Sequence, residues 1–113
     1  MDDPEGFVHR WLDAFNWRDW AAYGHFYTDD VAYLTPGRGE PLISRQAHVE
    51  QDQRNAGSGK LSASLVVAGQ DGRHLAVEGM FEGGARRSRW VAILELRGDQ
   101  IASERLYFDR TPM

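Results

Sequence analysis

The sequence predicts an α+β fold, with helices in the first half of the chain and a sheet of antiparallel hairpins in the second. In the first half, apolar residues recur at helical spacing behind residue types that commonly cap helices. After residue 60 the pattern changes to four strand-like runs, separated by turn signals that contain glycine. A chain of 113 residues has room for one hydrophobic core. We therefore expect residues 1–113 to form a single domain.

The N-terminal region predicts two consecutive helices. Asp3 followed by Pro4 is typical of an N-cap with proline at the first helical position, and apolar residues at helical spacing extend this helix to about Asn16. Asp19 predicts the cap of a second helix, which ends at residues 28–30. The apolar residues of this second helix are Trp20, Tyr23, Phe26 and Tyr27.

The remaining elements follow in the order strand, helix and four strands. Residues 31–35 predict a short extended segment, residues 36–42 a loop rich in proline and glycine, and Ser44 the cap of a third helix that runs to about residue 55. The last four strands are predicted over residues 61–68, 73–82, 87–96 and 100–109. Their connections are Asp71-Gly72, Gly83-Gly84 and Gly98-Asp99, as expected for antiparallel hairpins.

Composition excludes several kinds of protein. The chain has no cysteine, so it has no disulfides and no thiolate metal site, and its four scattered histidines predict no metal site either. A formal net charge of −4 argues against general nucleic-acid binding. No apolar run approaches the roughly 20 residues of a membrane span, and the acidic N-terminus does not resemble a signal peptide. We expect a cytoplasmic protein that makes no membrane contact.

Several short strings occur in the order and spacing of a known superfamily. They are Phe15-Asn16-Trp17-Arg18-Asp19, the string from Phe26 to Val31, Ser44-Arg45-Gln46-Ala47, and the final hairpin from Gly98 to Asp109. Together they resemble the polyketide cyclase (SnoaL-like), limonene epoxide hydrolase and steroid isomerase branches of the nuclear transport factor 2-like superfamily. The resemblance covers nearly the whole chain. It implies three N-terminal helices packed on the concave face of a strongly curved, mainly antiparallel sheet, which forms a cone-shaped roll around an apolar pocket.

The catalytic residues of two of these branches do not carry over to this chain. The positions of the steroid isomerase oxyanion donor, general base and protonated acid are occupied by Trp11, Thr35 and Ala92. The positions of the epoxide hydrolase arginine and two aspartates are occupied by Gly79, Phe81 and Leu106. Because none of these side chains supplies the acid or base that those reactions need, we reject both activities.

Other polar residues are the candidates for catalysis. Tyr33 and Thr35 alternate on one strand face and fall where the resemblance implies a pair that binds water. His48 and Asp52 are four residues apart, so they lie on one face of the third helix, close enough for a charge-assisted contact. Asp52 is the candidate acid or base, tuned by His48, and Glu104 is the reserve candidate. The alternative for His48 and Asp52 is a solvated helix pair.

The pocket wall is predicted to be apolar and aromatic. Its candidate substrate-binding residues are Trp11, Phe15, Tyr27, Phe81, Trp90, Leu94, Leu106 and Phe108. Such a lining favours a polycyclic or terpenoid-sized ligand, unless the aromatic side chains fill the space themselves. We expect a cyclase, isomerase or hydrolase that acts on an apolar small molecule without a cofactor. The alternatives are a non-catalytic binding domain and a dimerisation module. The resemblance also implies a homodimer.

Overall fold

The computed structural model of the chain describes residues 1–35, 40–84 and 86–109. The helices are α1 (Pro4–Asn16), α2 (Trp20–His25) and α3 (Arg45–Ala56). The strands are β1 (Tyr27–Leu34), β2 (Leu42–Ile43), β3 (Lys60–Ala68), β4 (His74–Gly83), β5 (Arg86–Arg97) and β6 (Gln100–Phe108). Each of the four C-terminal strands begins and ends within one residue of its predicted bounds.

The six strands form one sheet in the order β2-β1-β6-β5-β4-β3. Strands β3 to β6 form a meander of antiparallel hairpins, and β1 joins it by parallel pairing with β6. The apolar face of α1 packs with one face of this sheet in a common core. The predicted fold, with three helices on a curved and mainly antiparallel sheet, is confirmed. Within the described ranges, no helix is long and apolar enough to cross a membrane.

The helices begin at the residues that the sequence predicts. The side chain of Asp3 accepts a hydrogen bond from the backbone N–H of Gly6 at 3.0 Å, and Pro4 occupies the first helical position. Asp19 accepts from Ala22 N–H at 3.1 Å, and Ser44 Oγ accepts from the backbone N–H of the third residue after it at 2.9 Å. Each cap provides a partner for a backbone donor that the first helical turn leaves unpaired.

The predicted end of the second helix is wrong. The helix ends at His25, and β1 already begins at Tyr27 instead of residue 31. The backbone N–H of Ile101 donates to the carbonyl of Phe26 at 2.7 Å, and Tyr27 pairs with Ile101 across the parallel strands. This long-range pairing overrides the local helical pattern. The sequence also did not predict β2, which pairs with β1. Most of the predicted loop at residues 36–42 lies outside the described residues.

The Asn-x-x-Asp string at the end of α1 has a structural role. Asn16 exchanges two hydrogen bonds with the backbone of Leu61 in β3, at 2.7 and 2.8 Å, and so joins α1 to the edge of the sheet. Arg18 has a positive φ of 61°, and its guanidinium donates to the carbonyl oxygens of Phe15, Gly57 and Gly59. These contacts hold the aromatic face of α1 against the sheet, which positions one wall of the site described below.

Candidate active site

A cavity of about 760 Å³ lies between the helices and the inner face of the sheet. Six of the predicted substrate-binding residues line it: Trp11, Phe15, Phe81, Trp90, Leu106 and Phe108. The candidate catalytic residues Tyr33, Thr35 and Asp52 also line it. The wall therefore combines aromatic side chains with polar and charged groups, which can fix the orientation of a bound small molecule.

Three of the predicted site residues lie behind this wall. Tyr27, His48 and Leu94 each have 0% exposure and are not among the residues that line the cavity. Leu94 lies four residues beyond Trp90 on β5, where the sheet is covered by the apolar core. Leu94 is therefore a core residue and not part of the pocket wall, which corrects the prediction. Tyr27 and His48 contact polar residues of the wall from behind.

His48 occupies the centre of a polar cluster under the cavity. Its ring packs between those of Tyr27 and Tyr33, with centroid distances of 4.6 and 4.2 Å. Its Nε2 atom lies 3.4 Å from Asp52 Oδ2 and 3.5 Å from Glu104 Oε1, distances that suit ion pairs rather than short hydrogen bonds. One buried imidazole therefore lies beside two carboxyl groups, both of which line the cavity.

Two tyrosines connect the same carboxyl groups by a second route. The Tyr23 hydroxyl donates to Asp52 Oδ2 at 2.7 Å, and the Tyr27 hydroxyl lies 3.0 Å from both Tyr23 Oη and Glu104 Oε1. The indole N–H of Trp11 donates to the Tyr27 hydroxyl at 2.9 Å. An unbroken chain of oxygen contacts therefore runs from Asp52 through Tyr23 and Tyr27 to Glu104.

A count of hydrogens shows which protonation state satisfies every contact between these four side chains. They make three oxygen–oxygen contacts, between Asp52 and Tyr23, between Tyr23 and Tyr27, and between Tyr27 and Glu104. Each contact needs one hydrogen to be a hydrogen bond, and the two hydroxyl groups supply only two. All three contacts are satisfied when one carboxyl group keeps its proton. The geometry is therefore suited to one carboxylic acid and one carboxylate.

The electrostatic environment favours retention of that proton on Asp52 up to about pH 6. Burial raises the pKa of Asp52 to about 6; the His48 charge opposes the rise, the Glu104 charge adds to it, and the Tyr23 hydroxyl opposes it. For His48, burial lowers the pKa, but the contact with Glu104 and the charges of both carboxylates outweigh burial and hold the pKa above its ordinary value. Burial above all raises the pKa of both tyrosine hydroxyls well above 10.0, so they remain proton donors.

Glu104 has a more central position in the site than expected for a reserve candidate. It is 4% exposed, lines the cavity and pairs in register with Tyr33 of β1 and Leu94 of β5. Strand alternation correctly predicted that it faces inward. Its proximity to His48 depends on the parallel pairing of β1 with β6, and no local pattern in the sequence indicates that pairing.

Several residues of the site were not predicted. Tyr23 was assigned only to the apolar face of the second helix, although a tyrosine on such a face commonly finds a hydrogen-bond partner for its hydroxyl. The other unpredicted polar residues of the wall are Gln51, Asn55, Arg86, Arg87 and Ser88. In the described part of the chain, no three side chains of histidine, aspartate or glutamate are arranged to hold a metal ion.

The fold and the cavity define the class of protein to which the chain belongs. Helices packed on a curved six-stranded sheet are the architecture of the nuclear transport factor 2-like superfamily. The SnoaL-like domain model matches residues 8–104, and the chain belongs to the SnoaL-like family. None of the curated proteins compared with the chain matches it.

Solved structures with the same fold include proteins described as isomerases, cyclases and hydrolases. A proposed ketosteroid isomerase from Kribbella flavida has a TM-score of 0.86 and 20% identity, over 98% of this chain and 81% of that one. SalBIII, an epoxide hydrolase/cyclase-like enzyme of salinomycin pyran ring formation, has a TM-score of 0.82 and 20% identity, over 97% and 93%. A Mycobacterium tuberculosis epoxide hydrolase of the limonene epoxide hydrolase type has a TM-score of 0.76 and 20% identity, over 98% of this chain and 86% of that one. At this identity the similarity shows the fold alone.

Proposed function

We propose that the protein is a cofactor-free acid–base enzyme that acts on an apolar small molecule, in a reaction of the cyclase, isomerase or hydrolase type. The observation that carries the proposal is the pair of carboxyl groups of Asp52 and Glu104. Both line the cavity, and both lie beside the buried imidazole of His48. Paired titratable groups with perturbed protonation in a cavity are the usual arrangement for general acid and base catalysis.

Below about pH 6, where Asp52 keeps its proton, the two carboxyl groups would divide the roles of acid and base. The ionised group accepts a proton from the substrate or from a water molecule, and the protonated group donates one to the oxygen on which negative charge develops. The protonation states are then restored by three shifts, from Asp52 to Tyr23, from Tyr23 to Tyr27 and from Tyr27 to Glu104, or by the reverse sequence. The four hydrogen-bonded side chains together neither gain nor lose a proton, so this step needs no solvent access.

Tyr33 and Thr35 would position the reacting oxygen. Both line the cavity, and each carries a hydroxyl group that can donate to a carbonyl or epoxide oxygen or hold a water molecule. Tyr33 also packs against the ring of His48. The aromatic wall would hold the apolar body of the substrate and exclude water, which strengthens the polar contacts at the reacting atoms.

Proton exchange and ring opening offer a test that needs no knowledge of the natural substrate. β-Tetralone in deuterium oxide reports removal of a proton next to a carbonyl, and styrene oxide reports epoxide opening. We expect the protein to accelerate at least one of these reactions over buffer, and Glu104→Gln to abolish the acceleration. Glu78→Gln is the matched control, since Glu78 is exposed and does not line the cavity. Equal rates with wild type and Glu104→Gln would contradict the proposal.

The second candidate function is a non-catalytic binding domain. It is favoured by the absence of the steroid isomerase and epoxide hydrolase catalytic sets, because the positions that carry them hold Trp11, Ala92, Gly79 and other unsuitable residues. Saturable binding of both probes without any acceleration would select this function over the enzymatic one.

We also propose that the protein forms a homodimer through the outer face of the sheet. Leu65 and Val67 of β3 and Tyr107 of β6 are 54%, 50% and 43% exposed. Strand register extends this surface inward, because Val67 is followed across the sheet by Ala76 and Ile93. An apolar face of this breadth on the side opposite the cavity suits a subunit contact.

Val67→Glu is expected to convert the dimer to a monomer, because it places a charge within the apolar contact surface. Light scattering should give twice the 12.8 kDa of one chain for the wild type and a single-chain mass for the variant. Trp17→Glu is the control, since Trp17 is 83% exposed but lies at the end of α1. A wild-type mass of one chain at micromolar concentration would exclude the dimer.

A further inference from the structure

One end of the cavity carries positive charge. Arg86, Ser88 and Trp90 alternate along β5, so their side chains share one face of the sheet, and all three line the cavity. Arg87 also lines it, but alternation places it on the other face, where its Nε atom pairs with Glu82 at 3.8 Å. Arg86 forms no ion pair with another residue of the described ranges. Arg86 is therefore a cation at the cavity with its charge uncompensated in that part of the chain.

The carboxyl groups of the cavity lie on β6 and α3, and Glu104 of β6 is level with the far part of β5. Glu104 pairs in register with Leu94, and Leu94 is separated from Arg86 by about 26 Å of extended strand. Curvature of the sheet and the length of the arginine side chain shorten the gap between the charged groups. The wall between the two ends is aromatic and includes Trp11, Phe81 and Trp90. A bound anionic group would be repelled by the carboxylates and attracted by the arginine.

We propose that Arg86, assisted by the hydroxyl of Ser88, binds the carboxylate of an elongated and otherwise apolar ligand. A guanidinium donates two parallel hydrogen bonds to a carboxylate, which gives direction as well as affinity. With the carboxylate held there, the apolar body extends along the aromatic wall and the far end of the ligand lies at Asp52 and Glu104. The role of that far end rests on the proposed function, whereas binding of the carboxylate does not.

A polycyclic carboxylate and its neutral ester test this subsite. Pyrenebutanoate and its methyl ester have the same fluorescent ring system and differ in charge, so titration of each with the protein isolates the contribution of the carboxylate. We expect wild type to bind the acid about ten-fold more tightly than the ester at low salt, and the preference to fall as salt screens the charges. Arg86→Gln should remove the preference while binding of the ester is retained, and Arg86→Lys should keep part of it.

Two controls separate this inference from general charge effects and from catalysis. Arg89→Gln removes the same charge from the same strand, but Arg89 is exposed and does not line the cavity, so the preference for the acid should be retained. Asp52→Asn should retain the preference or increase it, because the variant removes a carboxylate that repels the acid, even if every catalytic test fails. Equal affinity of wild type for acid and ester, an unchanged preference in Arg86→Gln, or no binding of either probe at millimolar concentration would overturn the proposal.

Discussion

Asp52→Asn is expected to lower turnover at least about a hundred-fold, the usual scale for loss of a general acid or base. Asparagine keeps the shape of the side chain and can still accept a hydrogen bond from Tyr23, but it can neither take up nor release the proton. The loss should appear mainly in kcat, because the side chain that would contact the substrate keeps its volume. Activity within three-fold of wild type would exclude Asp52 as the acid or base.

The same variant is expected to be more stable than the wild type above pH 6. The Asp52 pKa is raised from 3.8 to about 6 in the folded protein, so the folded state holds this proton more tightly than the unfolded state. Below pH 3.8 Asp52 is protonated in both the folded and the unfolded state, so its ionisation does not lower the free energy of unfolding. The destabilisation caused by its ionisation grows as the pH rises to 6, and above that it reaches about 3 kcal/mol for a shift of this size. The Asp52 side chain is 19% exposed, so screening by solvent is limited.

Chemical denaturation at two pH values measures this effect. We expect Asp52→Asn to raise the free energy of unfolding by about 2 kcal/mol at pH 8, and by much less at pH 4. The raised pKa of His48 acts in the same direction in wild type, because its stabilising contribution is lost as the pH rises through the folded value. A variant that is equally destabilised at both pH values would show that Asp52 has only a structural role.

Gly79→Ala is expected to have the largest effect on stability. A Cβ atom at this position would overlap the backbone carbonyl oxygen of Ser62 in the neighbouring strand and lie 2.5 Å from the Trp90 ring. Because the backbone of β3 cannot rotate away, the strands must separate locally. We expect a loss of about 3 kcal/mol, at the upper end of the cost of overpacking.

Gly24→Ala is the matched control for that substitution. Gly24 is also buried, but an added Cβ would lie 3.6 Å from Val49 Cγ2, an ordinary contact. Alanine is favoured over glycine in a helix by up to about 1 kcal/mol, so this variant should be as stable as wild type or slightly more stable. Urea unfolding of both variants tests the difference. An equal effect of the two substitutions would contradict the tight packing of Trp90 on Gly79.

Local patterns in the sequence were sufficient to predict most of the fold. The caps at Asp3, Asp19 and Ser44 are correct because a cap depends on residues within one helical turn. The positions of the hairpin strands were predicted correctly because the turns between them contain glycine, for example Gly98 with a φ of 65°. The start of β1 at Tyr27 was missed because it depends on pairing with β6, which is distant in the sequence.

The site was predictable only in part, for the same reason. The spacing of His48 and Asp52 is local, and the structure places the two side chains 3.4 Å apart. The approach of Glu104 and the hydrogen bond from Tyr23 join elements that are distant along the chain. Leu94 shares the predicted inward face, but alternation specifies which face a residue occupies and not how far along the strand the cavity extends.

Titration of the Asp52 carboxyl carbon by NMR tests the central claim most directly, since it requires no substrate. A carboxyl group that is buried beside His48 and Glu104 at the cavity should titrate with a midpoint of about 6. A midpoint at or below the ordinary 3.8 would mean that Asp52 is a solvated residue on the surface of α3, and would contradict an acid–base site in this protein.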